Sequence, residues 1–578
     1  MKKIKYVLLL LIIGFVSCQD FLEEESQDLT AVETVDHFQA LMLNEFSNNY
    51  PLFKSVYHMT DDLEEIKLAP TARKSNKTTF TWQQEIEIDE EGNTIRGINT
   101  SWESMYEDIA VVNYIIETID DMDGTMPEKE FAKGEAYFIR AMSYFNLLNL
   151  YGQPFNETTK ETDLGVPIRV NTEIELSYKR ASVADGYALV ESDLVSASSF
   201  IEKSGITKSK WHPSVKACNL LMSRVKLYQK KWDEVIVYAN KVIADGQLSM
   251  MQTNAPFVTE GNEEILYVWH KSYNGLIDAP SSSEVAGYRA SETLYDLYES
   301  GDNRKDAFLN SFVQGGNTHY INRKHNGGYD GSTSTSVYTT MGYQNLRVGE
   351  AYLNKAEALA QGNDVTAIEI IKVLHGFRFA NTTSLVYPNT PDEILNYIKN
   401  ERRRELCFED HHRWFDLRRM NNRPEIEHIY TTVDEQGDVV KTETYTLFSN
   451  DLNYTLPIPI KERENNPGII NNERVDKLPV INFDRKRLDS IELYPYKRVF
   501  DAGMASIMTA HLSIPSLESN AKLPTSLSKK VVTTILKEEL GFLGLIFTDG
   551  LNMKGAADYS TSSEIDLAAI LAGNDILL

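Results

Sequence analysis

The sequence of 578 residues predicts a mainly α-helical protein with long loops, followed by a shorter α/β segment. Through most of the first 472 residues, apolar and aromatic side chains recur every three or four positions, which is the period of a helix that buries one face. Beyond that point, short apolar strands alternate with helical patterns, which indicates a parallel sheet. Two unrelated patterns in one chain predict two joined units.

The N-terminal residues have the pattern of an export signal. Three lysines precede an apolar run from Tyr6 to Val16, which is too short to span a bilayer, and Ser17 and Cys18 follow. A small residue before a cysteine predicts a lipoprotein signal over residues 1–17, with Cys18 acylated and anchored through its acyl chains. The alternative is an ordinary cleaved signal in which the cysteine occurs by chance.

Charge and cysteine content exclude several classes of protein. The formal net charge of −26 repels phosphate backbones and anionic lipid, so nucleic-acid binding is disfavoured. Cys218 and Cys407 lie in apolar helical patterns, where a lone cysteine behaves as a small hydrophobic residue. Neither a disulfide framework nor a metal site is predicted, and no cofactor is expected.

Helical hairpins form the first unit. Periodic segments run from Thr100 to Met122 and from Ala132 to Tyr151, and two further helices fill Val215 to Gly246. Another hairpin combines Leu346 to Ala360 with Val365 to Phe377. Small residues, tyrosines and glycines at these spacings predict a tetratricopeptide-like repeat scaffold.

Polar segments interrupt the helices and are candidates for binding. Asn274 to Ala286 and Gly315 to Gly342 are rich in Gly, Ser, Thr and Asn, which predicts long loops or short strands. Loops on a rigid scaffold often carry binding residues, and flat aromatic rings suit sugars. The candidate ligand contacts in polar context are Trp82, Tyr320, Tyr329 and Tyr338, each with a structural role as the alternative.

A dense charge cluster occupies Asn400 to Met420. Glu401, Glu405 and Glu409 recur at four-residue spacing, and arginines at 402 and 404 are near enough for local ion pairs. Such a cluster could be catalytic, but neighbouring core aromatics favour a satisfied structural network. The pair of histidines at 411 and 412 has no zinc-site spacing.

These segments together resemble the SusD/RagB family. The resemblance rests on Cys18 followed by Asp20-Phe21-Leu22, on WESMYEDIAVVN, GEAYFIRAMSYFNLLNLYG, LRVGEAYLNKAEALA and ERRRELCFEDHHRWFDLRR, and on LPIPIKERENNPG. It spans residues 1 to about 472 and implies a binding domain over 18–472. It also implies an outer-membrane lipoprotein, facing the cell exterior, that binds an oligosaccharide or another nutrient and caps a SusC-like TonB-dependent transporter.

The segment after residue 477 has its own order of elements. Predicted helices and strands alternate in this order: helix Arg485 to Phe500, strand Ser506 to His511, helix Ser526 to Leu540, strand Leu545 to Phe547, helix Ser562 to Leu571 and strand Asn574 to Leu578. The order indicates a parallel sheet or a barrel. We expect a seam at residues 473–477, from joined genes or an assembly error.

This segment resembles glycoside hydrolase family 3, in the branch of the β-N-acetylhexosaminidases, and the resemblance implies an incomplete α/β, TIM-barrel-type fragment over 478–578. ASIMTAHLSIPSLE, LPTSLSKKVVTTILKEELGFLGLIFTDGLNMKGAA and LAGNDILL carry the resemblance, which implies that Asp549 is the nucleophile of a retaining mechanism. The family's K-H-F-P-G-H-G segment and its D-x-H acid loop do not occur in the sequence. We therefore expect nutrient binding rather than hydrolysis, with hydrolysis of terminal N-acetylhexosamine through Asp549 as the alternative.

Overall fold

The computed structural model describes residues 33–48, 54–66, 74, 76–89, 91–95, 98–173, 179–253, 257–259, 261–268, 287–314, 316–322, 324, 345–409, 411–434, 438–466, 481, 483–520, 522–551, 556 and 559–578. The predicted signal, residues 1–17, and the predicted lipidation site Cys18 lie outside this part. Among the helices of the described part, none has the length and apolar content needed to cross a bilayer.

Helices dominate the described residues before position 467. In chain order they are α1 (Val35–Asn48), α2 (Lys54–His58), α3 (Lys77–Phe80), α4 (Ser101–Thr118), α5 (Met126–Tyr151), α6 (Val183–Ser204), α7 (Val215–Tyr228), α8 (Trp232–Ile243), α9 (Glu292–Tyr295), α10 (Arg304–Phe308), α11 (Val348–Gln361), α12 (Ala367–His375), α13 (Pro391–Leu406), α14 (His412–Arg419) and α15 (Ile460–Asn465).

The predicted helical hairpins are confirmed. Helix α4 packs on α5, α7 on α8, and α11 on α12, while α6 joins α5 to α7 and α11 lies against α8. Local sequence sets the ends of these helices. Thr125 and Glu128 form a capping box at the start of α5, and Ser182 accepts the Asp185 N–H at 3.0 Å at the start of α6. Gly205 ends α6 with a φ of +63°.

Short strands lie between the helices. They are β1 (Leu63–Glu65), β2 (Leu164–Pro167), β3 (Arg180–Ser182), β4 (Ile265–Val268), β5 (Tyr288–Ala290), β6 (Leu309–Gln314), β7 (Asn317–Asn322), β8 (Asn345–Arg347), β9 (Ile426–Val433) and β10 (Val439–Leu447). All pair antiparallel, as β1 with β5, β2 with β3, β4 with β8, β6 with β7, and β9 with β10.

The ribbon β9–β10 was missed at the sequence level. Its register pairs Ile426 with Leu447 and Thr431 with Thr442. The alternating pattern of IEHIYTTV and VVKTETYTL around a polar turn is typical of a hairpin and could have predicted it. Of the predicted polar loops, residues 317–322 form β7, whereas 274–286 and 325–342 lie outside the described part.

The helical unit has three packed cores. The largest joins helices α4 to α8 with α11 and α14 and contains Tyr144 and Trp414, both fully buried. A second lies beneath the strands around Phe308, and a third joins α11, α12 and α13 around Ile371. Cys218 and Cys407 are buried members of the first and second cores, as predicted for lone cysteines in apolar patterns.

The remaining described residues form a smaller α/β unit. Its elements are α16 (Arg485–Arg487), a π-helical turn (Leu488–Glu492), α17 (Tyr494–Asp501), β11 (Ser506–Thr509), a 3₁₀ turn (Thr525–Leu527), a π-helical segment (Lys530–Glu539), β12 (Leu545–Thr548) and α18 (Ser562–Ala572). The helix predicted over 485–500 is interrupted near Leu493, before Pro495. Strands β11 and β12 are parallel, as predicted.

The third predicted strand, Asn574 to Leu578, forms only part of a ladder. One isolated parallel bridge joins Phe547 to Ile576, and the Thr548 N–H donates to Ile576 O at 2.9 Å. The chain therefore places a third extended segment beside β12. A closed barrel is not seen among the described residues of this unit.

Candidate functional site

The predicted charge cluster is a buried, balanced network. Five carboxylates and five cations contact one another in it, and all are at most 5 % exposed. The members are Glu264, Asp302, Glu401, Glu405, Glu409, Arg304, Lys324, Arg347, Arg378 and Arg404. Because the charges compensate one another, the network is structural, as the sequence favoured.

Glu405 is the centre of this network. Its oxygens accept hydrogen bonds from Arg304 at 2.8 Å, Arg347 at 2.6 Å and Arg378 at 2.8 Å. Burial would raise the pKa of this carboxyl, but the three guanidiniums hold it well below its usual range. Glu405 is therefore ionised and bonded at neutral pH, which does not suit a general acid.

Trp82, one of the four predicted ligand contacts, lies inside the fold. Its side chain is 4 % exposed, and its indole N–H donates to Met59 O at 2.9 Å. The ring stacks on His428, with centroids 4.2 Å apart. This burial fits the structural alternative, and Trp82 presents almost no surface to a ligand.

Tyr320 stays half-buried and forms a stacked pair with Tyr295. The two ring centroids are 3.8 Å apart with planes inclined by 22°, and the Tyr320 hydroxyl donates to the Tyr295 hydroxyl at 2.7 Å. This hydrogen bond raises the pKa of Tyr320 to about 12. The Lys305 ammonium lies 3.6 Å from the Tyr295 centroid. We call these three residues the tyrosine platform.

The platform lies on short elements beside the second core. Tyr295 ends α9, Lys305 lies in α10, and Tyr320 lies in β7, opposite Ser311 of β6. Lys305 and Tyr320 both approach within 4 Å of the Tyr295 centroid, so they occupy opposite faces of that ring. Tyr320 itself is partly exposed and also packs against the second core. Tyr329 and Tyr338 fall in the undescribed segment that follows β7.

A second candidate surface is a cleft of about 540 Å³ between α4 and α15. Trp102 and Tyr106 line it with ring centroids 4.9 Å apart, and Tyr106 donates its hydroxyl to Pro167 O at 2.7 Å. Four carboxylates and two cations also line it: Glu87, Glu103, Glu107, Glu462, Arg169 and Lys461. The cleft is therefore net acidic.

Within this cleft the polar groups are held by neighbours. Glu87 accepts the Ile460 N–H at 2.9 Å, and burial raises the pKa of Glu87. The Tyr151 hydroxyl donates to Asn99 Oδ1 at 2.7 Å. Sequence reasoning assigned Trp102 and Tyr106 to a buried helix face, and nothing local indicated that α15, some 350 residues later, would complete a cleft with them.

Asp549 follows β12 directly, at the carboxyl end of the strand. Its backbone N–H donates to Thr509 O at 3.0 Å, and its Oδ1 accepts the Gly550 N–H at 2.8 Å. His511 is buried nearby and bonds to Ser526 Oγ at 2.6 Å and to Gly550 O at 3.0 Å. The carboxyl end of a parallel strand is the usual place for an active-site acid.

Apolar residues of the two parallel strands are exposed to solvent. Met508 of β11 is 57 % exposed and Leu545 of β12 is 51 % exposed. In a closed barrel both faces of each strand are covered, by the interior side chains and by the outer helices. The described unit therefore gives Asp549 a strand end but no enclosing wall.

Comparison with known families follows the same division of the chain. Residues 298–474 match the family described as "SusD family", and residues 20–227 match the one described as "Starch-binding associating with outer membrane". Residues 468–578 match "Glycosyl hydrolase family 3 N terminal domain". Both predicted resemblances are thereby confirmed.

Solved structures share the fold of the helical unit. A SusD superfamily protein from Bacteroides thetaiotaomicron is 23 % identical with a TM-score of 0.61, and the match covers 76 % of this chain and 100 % of that protein. A SusD-like carbohydrate binding protein from Bacteroides vulgatus is 20 % identical with a TM-score of 0.58, over 76 % of this chain and 98 % of that protein. The helical unit has the SusD-like fold.

Curated relatives match the smaller unit. A β-hexosaminidase from Chromobacterium violaceum is 39 % identical over 92 residues, which are 16 % of this chain and 25 % of the relative. One from Methylobacillus flagellatus is 32 % identical over 101 residues, 18 % of this chain and 28 % of the relative. The chain thus spans about a quarter of the length of these relatives.

Proposed function

We propose that residues 18–472 bind an oligosaccharide, or another nutrient of that kind, without chemical conversion. The tyrosine platform is the observation that carries this proposal. The fold likeness to a SusD-like carbohydrate binding protein and the match to a family described as starch-binding support it.

The platform has the properties that sugar recognition needs. The apolar faces of a pyranose ring pack on flat aromatic rings, and fixed aromatics lose little conformational entropy on binding. Tyr320 is fixed by its stack on Tyr295 and by the hydroxyl bond between them. The exposed part of Tyr320 is therefore held in place for stacking.

The acidic cleft between α4 and α15 supplies a second surface for the same ligand class. It combines the partly exposed Tyr106 ring with carboxylate and amide acceptors that suit sugar hydroxyls, including Asn465 and Asn466. Its excess of carboxylates disfavours anionic sugars at this surface. Neutral oligosaccharides are the class that both surfaces favour.

Anchoring and delivery belong to the same proposal. Acylation of Cys18 would hold the protein on the outer membrane, facing the exterior, where it passes its ligand to a SusC-like TonB-dependent transporter. Metabolic labelling with a palmitate analogue tests the anchor. Label in the wild type and none in Cys18→Ala supports it, whereas equal labelling of both contradicts it.

Calorimetry with a panel of neutral oligosaccharides tests the binding proposal itself. Saturable binding of at least one oligosaccharide that weakens in Tyr320→Ala supports the proposal. If no oligosaccharide of the panel binds, the proposal is contradicted. Tyr114→Ala is the matched control, because Tyr114 is 41 % exposed on α4, apart from the platform.

A second candidate function is hydrolysis of terminal N-acetylhexosamine. The position of Asp549 at the carboxyl end of β12 favours it, together with the identity to β-hexosaminidases. A retaining mechanism needs a second group, about 5 to 5.5 Å away, to protonate the leaving oxygen. His511 is bonded to Ser526 and to Gly550 O, so both of its ring nitrogens are already engaged. We therefore rank binding above hydrolysis.

A further inference from the structure

A large cavity on the helical unit differs in charge from the surfaces described above. Its volume is about 950 Å³, and it lies among the C-terminal end of α5, the α7–α8 turn, the end of α14 and residues 449–455. Five cations and three carboxylates line it, so it is net positive in a chain whose net charge is −26.

Arg418 is the most deeply buried of these cations. It is 2 % exposed and donates to Asn149 O, to Gly152 O at 2.5 Å and to Thr455 Oγ1 at 3.3 Å. Its Nε has no hydrogen-bond partner among the residues that the structure describes. Burial lowers the pKa of Arg418 to about 9, so it is still cationic at neutral pH.

The other large, fully buried arginines have a different environment. Arg304, Arg347, Arg378 and Arg402 each bond to at least one carboxylate. Arg418 bonds instead to two carbonyl oxygens at the end of α5 and to the Thr455 hydroxyl. A helix C-terminus carries only about half a negative charge, so compensation of this guanidinium is incomplete.

Two further cations in the cavity also bond to neutral oxygens. Arg423 donates to Leu417 O at 3.1 Å and lies over the Tyr454 ring, 4.5 Å from its centroid. Lys230 has a φ of +61° and donates to Asn421 Oδ1. Burial lowers the pKa of Lys230, and repulsion from Arg419 and Arg423 lowers it further.

The remaining charged groups of the cavity have partners. Arg419 bonds to Glu357 at 2.6 Å and to Asp416 at 2.8 Å, and Lys231 lies 3.6 Å from Glu191. The three lining carboxylates are engaged locally: Glu157 with Lys160 at 2.6 Å, Asp163 with Thr159 at 2.5 Å, and Asp451 with the Asn453 N–H at 2.7 Å. The uncompensated charge is therefore positive and belongs to Arg418, Arg423 and Lys230.

We infer that this cavity binds the anionic substituent, carboxylate or sulfate ester, of an acidic saccharide through Lys230 and Arg423, with the charge of Arg418 behind them adding to the positive potential. The volume is in the range of sites for drug-sized ligands and far exceeds that of a single inorganic anion. Phe155 offers an apolar ring, and Gln153, Asn156 and Asn450 offer amides to sugar hydroxyls. The inference rests on the proposed function and extends it to a charged class of ligand at a separate site.

Calorimetry on the full chain with matched saccharides tests this inference. The probes are trigalacturonate and a sulfated chondroitin tetrasaccharide, against maltotriose as the neutral probe and sodium sulfate as the free anion. Arg423→Gln and Lys230→Gln each remove one cation while leaving Arg418 in place. Lys241→Gln is the matched control, because Lys241 is an exposed cation on α8 outside the cavity.

The expected result is that an acidic saccharide binds and that each cavity variant weakens it about tenfold or more, the effect of one charge-assisted hydrogen bond. Binding should also weaken as salt rises, and the Tyr320→Ala and Lys241→Gln variants should leave it unchanged. If the acidic saccharide still binds both cavity variants as it binds the wild type, or if its binding is lost only in Tyr320→Ala, the cavity site is overturned and the proposed function stays intact. Binding of sulfate alone with no preference for a saccharide also overturns it, and failure of every saccharide to bind overturns both proposals.

Discussion

Arg347 donates a hydrogen bond of 2.6 Å to Glu405 across 58 positions of sequence, and both side chains are at most 1 % exposed. Arg347 ends β8, and Glu405 lies in the last turn of α13. The bond therefore joins strand β8 to helix α13. A buried charge pair of this kind fixes the relative position of the two elements.

Neutralising Glu405 should destabilise the helical unit strongly. Glu405→Gln removes the negative charge that three buried guanidiniums share. Breaking a buried ion pair typically costs about 3–5 kcal/mol. Chemical denaturation followed by circular dichroism measures the loss. Glu369→Gln is the control, because Glu369 is 62 % exposed in its pair with Lys372, and a change of at most about 0.5 kcal/mol is expected there. Similar losses for both variants would contradict the assigned role of the network.

Acid should destabilise the protein through the same carboxylates. The folded-state pKa values of Glu401, Glu405 and Glu409 are lowered, because neighbouring cations outweigh the effect of burial. Groups with a lowered pKa stabilise the fold above the unfolded glutamate value near 4.5, and this stability is lost as pH falls below it. Unfolding free energies measured from about pH 6 down to about pH 3 should therefore decline. The unfolding free energy of Glu405→Gln should fall less steeply with decreasing pH than that of the wild type. Equal slopes for the two proteins would contradict the prediction.

The sequence predicted only some of the residues of the buried charge network around Glu405. Four-residue spacing correctly placed Glu401, Glu405 and Glu409 together, and Arg404 does bond to Glu401 three positions earlier. Arg402, however, bonds to Asp416, and the main partners of Glu405 come from elements 27 to 101 positions away. Helical periodicity describes neighbours along one helix, and it carries no information on which distant strand packs against that helix.

The same limit applies to the candidate site. Trp82 lies in a polar segment, and its sequence context therefore favoured an exposed side chain. In the fold His428 covers the ring, and no residue near position 82 in the sequence predicts that contact. Tyr320 was proposed as a ligand contact from its polar context and stays a prediction. Its stacking partner Tyr295 was not identified, because α9 and β7 meet only in the folded chain. The helical hairpins, by contrast, were predictable because their signal is local and periodic.

Close packing of α5 on α6 gives a prediction for Gly134. A Cβ added there would lie 2.8 Å from Ile201 Cγ1 and 3.0 Å from the Ile201 backbone nitrogen, so the helices would have to separate. We expect Gly134→Ala to destabilise the protein by about 1–3 kcal/mol despite the better helix propensity of alanine. Thermal unfolding of Gly134→Ala and of Gly261→Ala is the comparison, since a Cβ at Gly261 meets nothing within 4 Å. Equal midpoints for the two variants would argue against this packing.

The hydrolase alternative is tested with Asp549. Purified full-length protein should release no chromophore from a chromogenic N-acetylglucosaminide above the level given by Asp549→Asn, because the described unit offers Asp549 no enclosing wall. Asp575→Asn is a control acid in the same unit, 36 % exposed beside Lys537. Turnover by the wild type that disappears in Asp549→Asn and persists in Asp575→Asn would establish the enzyme reading instead.

Binding of a neutral oligosaccharide at the tyrosine platform is the central claim, and titration calorimetry of the Tyr320 variants tests it most directly. Tyr320→Ala should weaken binding by about 1–3 kcal/mol, the range found when an aromatic side chain that stacks on a nucleobase is replaced by alanine. This is roughly 5- to 150-fold in affinity. Tyr320→Phe keeps the ring and should stay within about threefold of the wild type. Affinity that is unchanged in Tyr320→Ala, or lost equally in Tyr114→Ala, would contradict the account.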